Sequence, residues 1–106
     1  MKDTIATEYH RLKKTIIWSW QGWTASWATE KTLRQWTLAN VISAALAFYL
    51  DLSGLERAVI IGFGLLILVA ELINTAVENT VDRIGTEFHE MARKAKDAGS
   101  ACVAVA

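Results

Sequence analysis

Apolar residues follow a helical period through the first thirty positions of the chain and then gather into long continuous blocks. Ile5, Tyr9, Leu12, Ile16, Trp20, Trp23 and Trp27 step by four and three, the repeat that places side chains on one face of a helix. Residues 1–31 therefore read as an amphipathic helix, expected over about 4–30. Trp18, Trp20, Trp23 and Trp27 suit the headgroup zone of a membrane, where aromatic rings anchor, so this helix is expected to lie in the interface. The competing reading is a soluble helix packed on a core. Four tryptophans within ten residues argue against it.

Residues 36–50, WTLANVISAALAFYL, are 15 uncharged residues. At helical rise they cover about 22 Å, short of the ~30 Å hydrocarbon core. Starting at Leu33, with Arg34 snorkelling to the interface, gives a first expected span over about 33–50. Asp51–Arg57 is a short polar connector turning at Ser53-Gly54. Ala58–Val77 then runs for 20 residues with one charge, Glu71, and sets a second span over about 58–78. Residues 79–98 are polar, with a break expected near Gly85. At Gly99 a new apolar run, ACVAVA, opens and reads as the start of a third span cut short. The expected fold is an all-α membrane protein in one domain, 1–106: an N-terminal amphipathic surface helix, two complete transmembrane helices and the beginning of a third.

Composition narrows this picture. The chain is 53% hydrophobic and 21% charged with the two classes segregated, which fits a small multi-pass membrane protein better than a soluble bundle. A net charge of zero leaves no nucleic-acid footprint in the total charge. One cysteine, Cys102, excludes an internal disulfide framework and a cysteine-built metal motif. The N-terminal thirty residues lack the continuous apolar stretch of a cleavable signal. Lys2, Arg11, Lys13, Lys14, Lys31 and Arg34 precede the first span, Arg57 alone sits in the connector, and Arg83, Arg93, Lys94 and Lys96 follow the second. The positive-inside rule then places the N-terminus and residues 79–98 in the cytoplasm.

Glu71 is the most informative candidate. A carboxylate in the middle of a span costs about 2.5–3.5 kcal/mol on the insertion scale, so its default reading is a working residue. Glu71, Asn74 and Glu78 stand at i, i+3 and i+7 and share one helix face. Glu71, the deeper acid, suits a general base or a proton carrier. Glu78, nearer the interface, could hold Mg²⁺ with a second carboxylate, since that ion takes oxygen ligands and keeps several waters. Glu30, at a similar depth between the surface helix and the first span, is the natural second ligand. Solvated interface charge is an equal reading of Glu30 and Glu78. The cluster Arg93-Lys94-Ala95-Lys96-Asp97 offers lysine as a point charge for phosphate, although setting topology is the more frequent role of such clusters. There is no GxxxxGK[ST] loop, no protein-kinase signature set and no HExxH.

Glu71–Ser100 carries E-x-x-N-x-x-x-E, V-D-R-I-G-x-E-x-H and A-K-D-x-G-S in order, and this segment resembles the signature of the small prokaryotic diacylglycerol kinases. Arg11, the W-S-W around Ser19, Gly22, Glu30 and Arg34-Gln35 agree more loosely, so the resemblance covers roughly 10–106. It implies a bacterial inner-membrane, multi-pass enzyme that assembles as a homotrimer, with sites between subunits, and transfers the γ-phosphate of MgATP to diacylglycerol. Related enzymes phosphorylate undecaprenol; V-D-R-I-G looks more like the diacylglycerol branch.

By position, the resemblance implies Glu71 as base with Asn74 beside it, and Glu30 and Glu78 as metal ligands that also meet the nucleotide. It implies nucleotide contacts at Arg11, Trp18, Glu87, Phe88, His89, Lys96 and Asp97. It implies a lipid site lined by Arg11, Ser19, Trp20, Trp23, Trp27, Tyr49, Glu71 and Ser100. Trp36 departs from the family pattern, which often has an acid there. A small proton-coupled transporter using Glu71 is the alternative from another class; it leaves Glu30, Glu78 and Lys96-Asp97 idle. A structural or regulatory subunit, indifferent to Glu71, is the third.

Overall fold

The computed structural model describes residues 2–85, 87 and 89–106. Four helices make up nearly all of them: α1 (Lys2–Thr29), α2 (Lys31–Tyr49), α3 (Gly54–Ile84) and α4 (Glu90–Val105), with no strand among the described residues. The all-α expectation therefore holds.

Local chemistry sets the boundaries. At Glu30 the backbone turns extended (φ −107°, ψ 101°) and separates α1 from α2. The Arg34 guanidinium reaches back across this break to the Trp27 carbonyl. Ser53 begins α3 with a capping box: its hydroxyl accepts from the Glu56 amide at 3.1 Å, and the Glu56 carboxylate accepts from the Ser53 amide at 3.3 Å. Nothing interrupts the helix until Gly85, so α3 continues to Ile84, past the expected end at 78. Its 31 residues give about 46 Å of helix, longer than a hydrocarbon core. His89 starts α4, its Nδ1 accepting from the Met91 amide at 3.1 Å. Most of the polar stretch 79–98 is helical, and α4, beginning at Glu90, runs on through Gly99 where the third span is expected to open.

Of the two complete spans expected, α3 alone among the described residues is both long and apolar enough to cross a membrane. The 19 residues of α2 have the length, but Lys31, Arg34 and Gln35 in its first turns and Asn40 further on dilute its apolar character.

α3 packs between α2 and α4, while α1 touches only α2 and α3 and buries none of its residues. Few side chains are enclosed: Leu33, Ala47, Ala70, Glu71 and Thr75. Arg57 ties the start of α3 to the end of α2 by donating to the Ala47 carbonyl at 2.8 Å, with its guanidinium 5.5 Å from the Phe48 ring centre. Phe63 and Leu65 leave 61% and 56% of their surface uncovered on α3. An apolar face of this kind is unfavourable in water and natural against lipid or another helix.

Two glycines let helices approach closely. A Cβ at Gly64 would overlap the Asn40 side chain of α2. A Cβ at Gly99 would stand 2.5 Å from Asn74 Oδ1 on α3. Small residues at helix contacts are the usual route to close packing where hydrophobicity does not drive association.

Candidate active site

α3 carries the acidic centre of the site. Glu71 is 5% exposed, and Thr75 one turn later is buried with its hydroxyl donating to the Glu71 carbonyl at 3.0 Å. Hydroxyl bonding to the preceding turn lets Thr75 satisfy itself and leaves the Glu71 carboxylate unclaimed by it. Asn74 donates from Nδ2 to Glu78 Oε1 at 3.2 Å. Its Oδ1 is buried against Gly99 and has no hydrogen-bond partner. A buried acceptor without a partner is costly and singles out the amide as a group to be explained. Glu30 and Glu78 both lie near enough to Glu71 for their charges to act on it. The break between α1 and α2 places Glu30 where its charge reaches Glu71. Glu30 occupies the N-cap position of α2 yet caps nothing with its side chain, which leaves the carboxylate available.

No group of three or more His, Cys, Asp or Glu side chains assembles into a metal cage among the described residues. Two carboxylates are what Mg²⁺ takes when phosphate oxygens and water complete its shell. Glu30, with no capping duty, and Glu78, with Oε1 fixed by Asn74 and its second oxygen free of that bond, fit such an ion.

A second locus forms where α3 ends and α4 begins. A cavity of about 340 Å³ is lined by Val81, Gly85, Glu87, His89, Ala92, Arg93, Lys96 and Asp97. It gathers four of the residues singled out for nucleotide: Glu87, His89, Lys96 and Asp97. Lys96 Nζ pairs with Asp82 Oδ1 across the two helices at 2.7 Å, and Asp97 pairs with Arg93 at 3.0 Å. Phe88, also singled out, lies outside the described residues.

The α1 candidates are not brought to either locus. Arg11 pairs with Glu8 at 2.9 Å, Trp18 is exposed, and Ser19 donates to the Thr15 carbonyl at 2.8 Å. Trp20 is exposed, and the Trp23 and Trp27 rings lie 5.9 Å apart on the same helix. Tyr49 stands exposed at the end of α2, and Ser100 is exposed beside the buried Gly99. Arg93 stands out in the sequence only as part of the basic cluster, and Asp82 and Gly99 are not singled out for chemistry. Arg93 and Asp97 do show an i, i+4 spacing that could have linked them. The Asp82–Lys96 and Gly99–Asn74 contacts join different helices, and no spacing announces them.

A bilayer-length helix with an enclosed carboxylate, two further acids in its field and a separate lysine-bearing cavity are consistent with a helical membrane protein. The family model described as prokaryotic diacylglycerol kinase matches residues 17–106. The diacylglycerol kinase of Escherichia coli K12 is 38% identical over 100 residues, covering 94% of this chain and 82% of its own. That of Pseudomonas aeruginosa is 42% identical over 100 residues, covering 94% and 81%. That of Helicobacter pylori J99 is 40% identical over 95 residues, covering 90% and 74%. The chain belongs to the prokaryotic diacylglycerol kinase family, and as a member of it is an enzyme of the kinase class.

Proposed function

We propose that this protein transfers the γ-phosphate of MgATP to the hydroxyl of diacylglycerol, giving phosphatidic acid for phospholipid turnover. The observation that carries this reading is Glu71: a carboxylate 5% exposed, on the one described helix fit to cross a membrane. A carboxylate enclosed on such a helix is suited to take the proton of a lipid hydroxyl. The relatives' shared name supplies the substrate class.

Phosphoryl transfer demands positioning and charge neutralisation more than covalent chemistry. Glu71 accepts the proton as the lipid oxygen bonds to the γ-phosphorus; the bond from that phosphorus to the bridging oxygen breaks and ADP departs. Asn74 fixes Glu78 through the bond at 3.2 Å. Glu30 and Glu78 would hold Mg²⁺, which neutralises phosphate charge when bound. Lys96 meets the phosphate end of the nucleotide, and Glu87, His89 and Asp97 line the remainder of its cavity.

The rest of the reading concerns assembly. α2 and α4 would cross or enter the membrane beside α3 in a homotrimer, with the basic N-terminal region and the α3–α4 link in the cytoplasm. The exposed apolar faces of α2 and α3 suit both lipid and neighbouring copies. Such an assembly would bring Arg11, Trp18, Ser19 and the tryptophan face of α1 to a site that one chain does not complete.

The test is transfer of labelled γ-phosphate from MgATP into lipid in mixed micelles, with diacylglycerol and undecaprenol offered in parallel. Label in diacylglycerol is the expected result. Label in undecaprenol alone would move the protein to the other branch of substrates. No label in either, with helical content intact, would overturn the kinase reading and bring forward proton-coupled transport through Glu71.

A further inference from the structure

Arg93 has no place in the reaction described above, yet it lines the same cavity as Lys96 and Asp97. Its guanidinium spans two turns of α4: one nitrogen bonds Glu90 Oε1 at 2.5 Å and the other bonds Asp97 Oδ2 at 3.0 Å. The planar fork is thus committed to two carboxylates and is not a free cation for phosphate. Lys96, held among the described residues by Asp82 alone at 2.7 Å, keeps two N–H donors to fill that part, and the division of labour follows from chemistry. Phosphates offer no hydrogen-bond donors, so the carboxylate of Asp97 cannot serve them. The nucleoside does offer donors, in its hydroxyls and its amino group. With Oδ2 taken by Arg93, Oδ1 of Asp97 is the oxygen left for them.

We infer that Arg93 is a positioning residue of the nucleotide cavity, holding Asp97 in the orientation that reads the nucleoside end of ATP. This rests on the kinase reading of the same site. An i, i+3 and i, i+4 ladder on a helix surface could also serve the helix alone, and the experiment separates the two roles.

Arg93→Ala, Arg93→Lys and Glu90→Gln are compared in the full chain in micelles, by steady-state kinetics and by calorimetric titration with MgATP in the absence of lipid. Arg93→Ala is expected to raise KM for MgATP about two- to fivefold, the scale of an exposed ion pair. kcat and KM for lipid should stay within about twofold, and the calorimetric affinity should fall in step. It should also weaken the preference for ATP over a triphosphate lacking the purine amino group. Arg93→Lys should recover part of the loss. Glu90→Gln neutralises the other rung of the ladder, leaves the Asp97 pair intact, and should leave KM unchanged. An unaltered KM in Arg93→Ala overturns the inference, as does a rise in Glu90→Gln of equal size, which would mark plain helix support. Absence of phosphate transfer by the unaltered chain is a separate result that refutes the kinase reading; normal transfer with unchanged nucleotide affinity in Arg93→Ala refutes only this one.

Discussion

Replacing Gly99 by alanine probes the contact on which the acidic centre depends. The new Cβ would lie 2.5 Å from Asn74 Oδ1, 3.5 Å from its Cγ and 3.7 Å from Val77 Cβ. The last two distances are ordinary contacts; the first is not, and either Asn74 or the α3–α4 spacing must give. Flipping the amide does not help, because Nδ2 would then meet the methyl and Oδ1 would face the Glu78 carboxylate. Forcing a methyl into a close-packed contact costs about 1–3 kcal/mol. Turning Asn74 away also forfeits its bond to Glu78, about 1.5–3 kcal/mol for a hydrogen bond to a charged group when fully lost. Against this stands the gain from glycine to alanine within a helix, about 1 kcal/mol. These terms overlap, since one relaxation relieves both, and the net expectation is a loss of about 1–3 kcal/mol. Reversible unfolding in mixed micelles, followed by helical ellipticity, measures it. Gly22→Ala is the internal comparison: nothing lies within 4 Å of its Cβ, so only the propensity gain applies. The Mg²⁺ titration of activity should move to higher concentration in Gly99→Ala, because Glu78 loses its positioning donor. If Gly99→Ala is as stable as Gly22→Ala and keeps its Mg²⁺ dependence, the close approach of α4 to Asn74 is wrong.

Three further outcomes follow from the same geometry. Glu71→Gln should preserve helical content and assembly but lower turnover at least ~10²-fold, the scale of a lost general base; unchanged turnover would remove Glu71 from the reaction. Glu78→Gln should raise the Mg²⁺ concentration needed for half-activation, and a titration that overlays the unaltered protein would count against metal ligation. Gly64→Ala should destabilise the α2–α3 contact by about 1–3 kcal/mol, with Asn40→Ala in the same chain restoring much of the loss; strictly additive effects would show that the two residues do not meet.

The sequence makes some of this architecture plain and hides the rest for physical reasons. Glu71, Asn74 and Glu78 are legible because a helix converts i, i+3 and i+7 into one face, and the Asn74–Glu78 bond is the direct product of that spacing. The turn at Ser53-Gly54 is legible because its capping box is written within four residues. The end of α3 is not: residues 79–84 are largely polar and mark departure from the span, whereas a helix leaving a membrane can continue into water until a breaker such as Gly85 stops it. Likewise the early start of α4 depends on the His89 cap, which carries no apolar signal. Asp82 and Gly99 stay invisible because their roles arise only when α4 folds back along α3, bringing residues 14 and 25 positions away into contact.

That fold-back also explains how a protein with so little enclosed core can hold Glu71 in place. Between helices in lipid, apolar surface supplies no net driving force, so close packing and polar contacts decide how helices sit. Here both flanks of α3 use the same device, an asparagine amide laid on a glycine: Asn40 of α2 over Gly64, and Asn74 against Gly99 of α4. Asn40 is itself fixed by donating to the Trp36 carbonyl at 2.9 Å, and Asn74 by donating to Glu78. Gly64 and Asn74 are ten residues apart, about 15 Å of helix, and Glu71 lies between them. α3 is thereby held above and below its buried acid by contacts that an added methyl would strain. Transfer between two bound substrates rewards such placement, since misalignment of about 1 Å can cost on the order of 10²-fold in rate. On the proposed reaction the glycines at 64 and 99 matter alongside the acids, because they set how closely α2 and α4 approach the helix that carries Glu71.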